Sequence, residues 1–154
     1  MKFLCDEMLC RLGRWLRAAG YDTLIAEAGQ PDRQLLELAL RESRILLTRD
    51  RKLAEFRHAD RCVEIIVGDR IDAQVQELSR RHAIDWLFAP FSRCLVCNRP
   101  LVPADPVRLA EVPPFSREQA TVLLTCSGCG RLFWDGSHVR RMRARLSDWQ
   151  QRRP

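Results

Sequence analysis

Ile45–Arg51, which reads ILLTRDR, is the stretch of sequence that decides the fold. Three apolar residues in a row are followed by Thr48 and Arg49, and then by a carboxylate at Asp50. A continuous apolar run bounded by charge is typical of a strand that is covered on both faces, as in a parallel sheet. Because open α/β sheets bind ligands at the carboxyl ends of their strands, Asp50 falls where chemistry is usually done.

Two other segments follow the same pattern, in which an apolar run ends at an acid. Lys2–Cys5 leads into Asp6, and Val63–Gly68 leads into Asp69. Strand and helix patterns alternate along this part of the chain, with strands predicted at Met1–Cys5, Asp22–Ile25, Ile45–Thr48 and Cys62–Val67 and helices at Met8–Ala19, Asp32–Ser43, Arg51–Phe56 and Ile71–His82. This alternation predicts an α/β fold of three layers, a parallel sheet with helices on both faces.

The size and composition of the chain limit the class of protein. A chain of 154 residues is long enough for one ordinary domain, or for a compact domain with a small module, and its 46% hydrophobic content is enough for a core. No apolar run approaches the roughly 18 residues that cross a bilayer. Met1 leads directly into a strand and then into acids, which is unlike a signal peptide. We therefore expect a cytoplasmic protein with no membrane partner.

The net charge of +6 is distributed unevenly. Residues 1–90 hold 15 basic and 15 acidic side chains, whereas residues 91–154 hold 11 arginines and 5 acids. A local basic excess indicates a polyanionic partner, most simply a nucleic acid. Genome base composition can explain why arginine outnumbers lysine, but it does not explain why only one part of the chain is basic. Four of these arginines belong to a helix predicted at Ser137–Gln151: Arg140, Arg141, Arg143 and Arg145.

Four of the seven cysteines form two Cys-x-x-Cys pairs, 28 residues apart: Cys94, Cys97, Cys126 and Cys129. Two thiolates at this spacing on a tight turn can face one ion, and two such turns complete a closed tetrahedral Zn²⁺ site of structural type. Asn98 and Gly130, which follow the pairs, tolerate the positive φ that such turns need. A redox pair is the alternative, but it explains one pair and not both. We predict an α/β domain at residues 1–90 and a zinc ribbon with a basic helix at residues 91–154.

The acids at the strand ends allow two interpretations. Each of them precedes a predicted helix and could be its N-cap: Asp6, Asp32, Asp50 and Asp69. Gathered at one edge of a sheet, however, carboxylates without matching cations repel one another unless a metal ion lies between them. Mg²⁺ or Mn²⁺ suits an all-oxygen site, and a metal pair of this kind cleaves phosphodiesters.

Several segments, in order along nearly the whole chain, resemble the Mut-seven C-terminal RNase domain family. They are Asp6–Leu9, Arg14–Arg17, Gly20–Thr23, Leu46–Arg51, Phe91–Cys94 with Cys97-Asn98, Cys129–Arg131, Trp134-x-Gly136-Ser137-His138 and Arg141-Met142. The resemblance implies a PIN-like nuclease fold with an appended zinc ribbon. It also implies a metal-dependent ribonuclease whose acids hold Mg²⁺ or Mn²⁺.

The resemblance also suggests roles for individual acids. Asp6 and Asp50 match the first acid and the Thr-x-Asp acid of PIN-type enzymes, and they are the predicted ligands of the catalytic metal. Asp32 is our choice for the intermediate acid, and Asp69, or equally Asp72, for the fourth. Three other acids compete with Asp32: Glu7, Asp22 and Glu42.

The sequence therefore predicts an endoribonuclease with structural Zn²⁺ and catalytic Mg²⁺ or Mn²⁺. Arg49 and Arg51 are the candidates to meet the scissile phosphate, and the arginine-rich C-terminal helix is the candidate to bind the RNA backbone. Two alternatives remain open: a non-catalytic RNA- or ribosome-binding zinc-ribbon protein, and a thiol-based redox or zinc-responsive regulator.

Overall fold

A four-stranded parallel sheet forms the centre of the computed structural model, which describes residues 1–153. Its strands are β1 (Lys2–Cys5), β2 (Asp22–Ile25), β3 (Ile45–Thr48) and β4 (Val63–Ile65), in the spatial order β2-β1-β3-β4. In register, Leu4 of β1 lies opposite Leu24 of β2 and Leu46 of β3. The predicted parallel sheet is confirmed.

Helices cover both faces of this sheet, as the sequence predicts. They are α1 (Cys10–Ala18), α2 (Asp32–Glu42) and α3 (Ile71–Arg81). Phe3 and Cys5 of β1 pack into a core with α1 and α3, whereas Leu4 packs on the opposite face against Leu35 and Ala39 of α2. The alternation follows from the two-residue period of a strand.

Three predicted elements differ in detail. The helix expected at Met8–Ala19 begins at Cys10, after a 3₁₀ turn at Glu7–Leu9. The strand expected at Cys62–Val67 is limited to β4, because the backbone N–H groups of Val67 and Gly68 donate to the Glu77 carboxylate at 3.0 and 3.2 Å instead of to a neighbouring strand. The helix expected at Arg51–Phe56 is a 3₁₀ turn, Arg51–Glu55.

A second, antiparallel sheet contains the cysteine pairs. Its strands are β5 (Leu101–Pro103), β6 (Leu123–Cys126) and β7 (Leu132–Trp134), in that spatial order. β6 and β7 form an antiparallel hairpin around the second cysteine pair, and β5 pairs with the other edge of β6. Between β5 and β6 lie a 3₁₀ turn, Pro106–Glu111, and the short helix α4 (Pro114–Arg117).

The C-terminal helix α5 (Ser137–Gln151) has the predicted bounds. It follows the antiparallel sheet in sequence, yet its buried face joins the core of the parallel sheet. There the Trp149 ring meets Trp15 edge-on at 4.7 Å and Trp86 at 5.4 Å. The division of the chain at residue 90 stays a prediction. Within residues 1–153, none of the helices has both the length and the apolar character that crossing a membrane requires.

Candidate functional site

The four predicted zinc ligands meet at one point. Their sulfur atoms all lie within 4.8 Å of one another: Cys94, Cys97, Cys126 and Cys129. The Sγ atoms of Cys94 and Cys129 are 3.7 Å apart, and those of Cys97 and Cys126 are 3.2 Å apart. Four sulfurs at about 2.3 Å from a tetrahedral zinc ion lie about 3.8 Å from one another. The donor set therefore fits a structural Zn²⁺.

The two cysteine turns have the same backbone geometry. Asn98 and Gly130 both have φ of 70°, which confirms the positive φ predicted for them. Their N–H groups donate to the carbonyls of Cys94 at 3.0 Å and Cys126 at 2.9 Å. Each turn presents two sulfurs to a common centre. We call residues 94–99 the first zinc knuckle and residues 126–131 the second zinc knuckle.

The local environment shifts the pKa values of two of the cysteine thiols, Cys94 and Cys126, in opposite directions. Burial raises the pKa of Cys94 to about 12. Burial also opposes ionisation of Cys126, but hydrogen bonds from the backbone of Cys129 and Gly128 and from the Cys97 side chain lower its pKa to about 6. A bound divalent cation favours the thiolate form of every ligand, so the remaining thiols would lose their protons on binding.

A buried arginine fastens the first zinc knuckle to the parallel sheet. Arg17 of α1 donates from Nη1 to the carbonyls of Leu95 at 3.0 Å and Val96 at 2.8 Å. Its Nε donates to the carbonyl of Thr23 on β2 at 2.8 Å. Sequence reasoning missed this role. The signal was a basic residue directly after Leu16, on the side of α1 that is otherwise apolar.

The Asn98 side chain makes a second connection between the same parts. Its Oδ1 accepts from the backbone N–H of Thr23 at 3.0 Å, and its Nδ2 donates to Asp22 Oδ1 at 2.7 Å. Arg44 also holds Asp22, at 2.8 Å. The knuckle and the edge strand β2 therefore share a buried polar network.

Asp6 lies at the carboxyl end of β1 and is 6% exposed. Its Oδ1 accepts from the N–H of Leu9 at 3.1 Å, which makes it the N-cap of a 3₁₀ turn. Its Oδ2 accepts from the N–H of Arg49 at 3.2 Å and from the Thr48 hydroxyl. Within the described part of the chain, Asp6 makes no ion pair with a basic side chain.

The hydroxyl of Thr48 links the two acids that the sequence singled out. It donates to Asp6 and accepts from the backbone N–H of Asp50 at 2.9 Å. The Asp50 carboxylate is exposed and caps the turn that follows, where it accepts from the N–H of Lys52 at 2.8 Å. Sequence reasoning placed no role on Thr48, although its position between the apolar run and Asp50 was the available signal.

The other two predicted acids are arranged differently. Asp32 opens α2, but the N-cap is Pro31, so the capping interpretation is wrong for Asp32. It is also wrong for Asp69, because Arg70 caps α3. The Asp69 side chain is 81% exposed and is paired with Arg49. Over residues 1–153 the cysteines are the one group of three or more potential ligands with closely gathered donor atoms, so the strand-end acids are not drawn together in this way.

The rival acids separate by position. Asp22 and Glu42 bind Arg44 at the opposite edge of the sheet, where the strands begin. Glu7 lies at the carboxyl edge and accepts from the N–H of Gly29 at 2.9 Å. Asp72 is committed to α5, since it accepts from the Trp149 indole at 2.8 Å and pairs with Arg145.

Several of the predicted RNA-binding arginines contact other groups of the protein, although Arg140, Arg141 and Arg143 are exposed. Arg140 donates to the carbonyl of Asp135 at 3.0 Å, and Arg143 lies 5.1 Å from the centre of the Phe91 ring. Arg145 pairs with an acid and lies 5.2 Å from the centre of the Trp149 ring. Arg51 and Arg141 are exposed.

Comparisons with known proteins identify the family to which the chain belongs. The human protein "Exonuclease mut-7 homolog" is 31% identical over 101 residues, which cover 63% of this chain and 12% of that protein. The chain therefore spans about an eighth of the length of this relative. No solved structure matches the chain. The family model described as Mut7-C RNAse domain matches residues 1–146, and the chain belongs to that family.

Proposed function

We propose that the chain is a cytoplasmic ribonuclease of PIN-like fold, which hydrolyses RNA phosphodiester bonds with Mg²⁺ or Mn²⁺ at its strand-end acids. The family is described as an RNase domain, and the human relative is named as an exonuclease. Both descriptions support nuclease-type chemistry. Because the chain spans only 12% of that relative, the exonuclease activity in its name does not carry over to this chain, for which we propose internal cleavage.

The observation that carries this proposal is the environment of Asp6. Its carboxylate is buried, and it receives two N–H groups and one hydroxyl but no ion pair with a basic side chain of residues 1–153. A buried charge without an opposite charge is costly, and a divalent cation removes that cost. Donors of oxygen type suit Mg²⁺ or Mn²⁺.

In this proposal Asp6 and Asp50 hold the cation at the end of β1 and β3. A bound divalent cation supplies an activated water and stabilises the charge that develops on the phosphate. Thr48 is a positioning residue, since its hydroxyl orients Asp6 and holds the backbone of Asp50. Arg51 is exposed and free to approach a phosphate.

We propose supporting roles for Asp32, Asp69 and Arg49. Asp32 lies at the start of α2, which follows β2 at the carboxyl edge of the sheet. Arg49 and Asp69 form a partly exposed pair, and such pairs are worth about 0–1 kcal/mol. A substrate phosphate can therefore replace Asp69 as the partner of Arg49 at little cost in free energy.

Cleavage of 5′-labelled RNA by the zinc-loaded protein tests the proposal. With Mn²⁺ present, Asp50→Asn should abolish internal cleavage without changing the free energy of unfolding by more than about 1 kcal/mol. Asp60→Asn is the matched control, since Asp60 is exposed and precedes β4 at the other edge of the sheet. Equal cleavage by wild type and Asp50→Asn removes Asp50 from the mechanism.

A second candidate function is non-catalytic binding of RNA or the ribosome. The observation that favours it is the arrangement of the strand-end acids, which are not gathered as the cysteines are. A binding module should bind RNA with strong salt dependence, and its affinity should be unchanged by EDTA too dilute to strip the zinc. A nuclease should instead lose Mn²⁺-dependent cleavage under the same treatment.

A further inference from the structure

A groove of about 830 Å³ runs between α1, the first zinc knuckle and the start of α5. Arg11 and Arg14 line it from α1, Arg131 from the second zinc knuckle and His138 from the first turn of α5. The volume lies within the range of about 300–1,000 Å³ that encloses a small organic molecule. It suits one or a few nucleotides of a single strand, and it is too small for a duplex.

The basic side chains of this groove are not neutralised by the protein. Within residues 1–153, the side chains of Arg11, Arg14, Arg131 and His138 are exposed and form neither a hydrogen bond nor an ion pair. Glu27 is the single acid in the lining. The groove therefore concentrates uncompensated positive charge, whereas Arg145 of α5 already has a carboxylate partner.

The groove also offers an apolar wall for a base. Trp15 lines it and is held by the edge-on contact with Trp149 at 4.7 Å. Met142 of α5 lies beside it in the lining. Basic side chains that follow a backbone, combined with a fixed aromatic ring, are the usual components of a single-strand site.

One end of the groove opens at the carboxyl edge of the parallel sheet. Ile25, the last residue of β2, and Glu27 lie in its lining, and so does Cys10, the first residue of α1. The 3₁₀ turn that Asp6 caps directly precedes Cys10. This end of the groove therefore includes Cys10, which directly follows the turn that Asp6 caps.

We propose that this groove binds single-stranded RNA and leads it to the strand-end acids, with phosphates against Arg11, Arg14, Arg131 and His138. The choice of RNA rests on the proposed function. The site is built from α1, both zinc knuckles and the start of α5, and its lining does not include Arg140, Arg141, Arg143 or Arg145.

Fluorescence anisotropy with a labelled oligouridine tests the groove, with zinc-loaded full-length protein and no Mg²⁺ or Mn²⁺. The double substitution Arg11→Gln/Arg14→Gln should weaken binding about tenfold at low salt. It should also reduce the slope of log affinity against log salt by about 1.4, which is about 0.7 for each lost phosphate contact on a single strand. The matched control is Arg61→Gln/Arg80→Gln, which removes the same charge from exposed arginines elsewhere and should change affinity less than twofold.

The outcomes separate this inference from the proposed function. Three results would each reject the proposal that the groove binds single-stranded RNA. They are an equal loss of affinity in the two double variants, no binding of oligouridine by wild type, and equally tight binding of a duplex. Selective loss in Arg11→Gln/Arg14→Gln supports the groove even if wild type cleaves nothing with Mn²⁺, a result that would reject only the nuclease. Conversely, if wild type cleaves RNA and the two double variants lose affinity equally, the proposed nuclease function stands and the proposed groove is rejected.

Discussion

Asn98 combines two roles that substitution can separate. Its backbone has φ of 70°, which the turn of the first zinc knuckle needs, and its buried side chain bonds to β2. Asn98→Gly keeps the first role, because glycine adopts positive φ without strain. It removes the second role completely. The substitution therefore removes the side-chain connection while keeping the turn conformation.

The expected loss follows from the groups that are left without a partner. The N–H of Thr23 is fully buried and loses its acceptor, which costs about 1–3 kcal/mol. Asp22 loses one hydrogen bond, worth about 1 kcal/mol, but it keeps Arg44. We expect the free energy of unfolding to fall by about 2–4 kcal/mol in Asn98→Gly.

Gly130→Asn is the matched control for this substitution. Gly130 has the same φ of 70°, and a Cβ added there meets no atom within 4 Å. Asparagine tolerates this backbone conformation, so the change in stability should stay within about 0.5–1 kcal/mol. Urea unfolding at a fixed free zinc concentration, with the slope m compared between variants, gives both values.

The refuting results are specific. A loss of less than about 0.5 kcal/mol in Asn98→Gly would mean that water replaces the Asn98 side chain at no cost. Equal losses in Asn98→Gly and Gly130→Asn would mean that turn conformation, and not the connection to β2, determines stability. An altered m would point to a change in the unfolded state.

Two further predictions concern the zinc centre and the acid limit of stability. Cys97→Ser should abolish the single zinc ion expected per chain in native mass spectrometry, whereas Cys62→Ser should retain it; zinc retained by Cys97→Ser would contradict the four-sulfur site. Burial raises the pKa of Asp22, but hydrogen bonds from Arg44 and Asn98 outweigh burial and lower that pKa below 3.8. Because the pKa of Asp22 is lower in the folded state than in the unfolded state, its carboxylate stabilises the fold at a pH above the unfolded-state pKa. This stabilisation is lost as the pH falls through the folded-state pKa. The stability difference between wild type and Asp22→Asn, measured with zinc saturating, should therefore shrink as the pH falls below about 5, and a constant difference would contradict this prediction.

Local sequence signals predicted the elements that depend on near neighbours. The apolar run Ile45–Thr48 identified a buried strand of the correct length, and the spacing of the cysteines identified four sulfurs that meet. The positive φ of Asn98 and Gly130 was also predictable, because it belongs to the turn itself. The bonds of the Asn98 side chain were not, since they join residues 75 and 76 positions apart and depend on how the two sheets meet.

The distribution of charge along the chain does not show which arginines already have partners within the protein. Counting arginines in residues 91–154 directed attention to α5, where contacts with Asp72, Phe91 and the Asp135 carbonyl occupy several of them. Residues 1–90 balance exactly, and this average concealed Arg11 and Arg14, which have no acidic partner in the described residues. Composition gives the sign of a segment, but only packing shows which charges remain uncompensated.

The connections across residue 90 explain why the candidate groove needs both parts of the chain. Arg17 binds the first zinc knuckle and so sets the distance between α1 and that wall of the groove. Trp149 of α5 packs against Trp15 of α1 and fixes the opposite wall. A zinc ion with four sulfur ligands has no open coordination position and would take no part in catalysis. It would instead fix the conformation of the first zinc knuckle, to which Arg17 is hydrogen-bonded. If the groove binds RNA as we propose, removing zinc should weaken that binding by disturbing the wall of the groove, while the environment of Asp6, built from β1 and β3, stays in place.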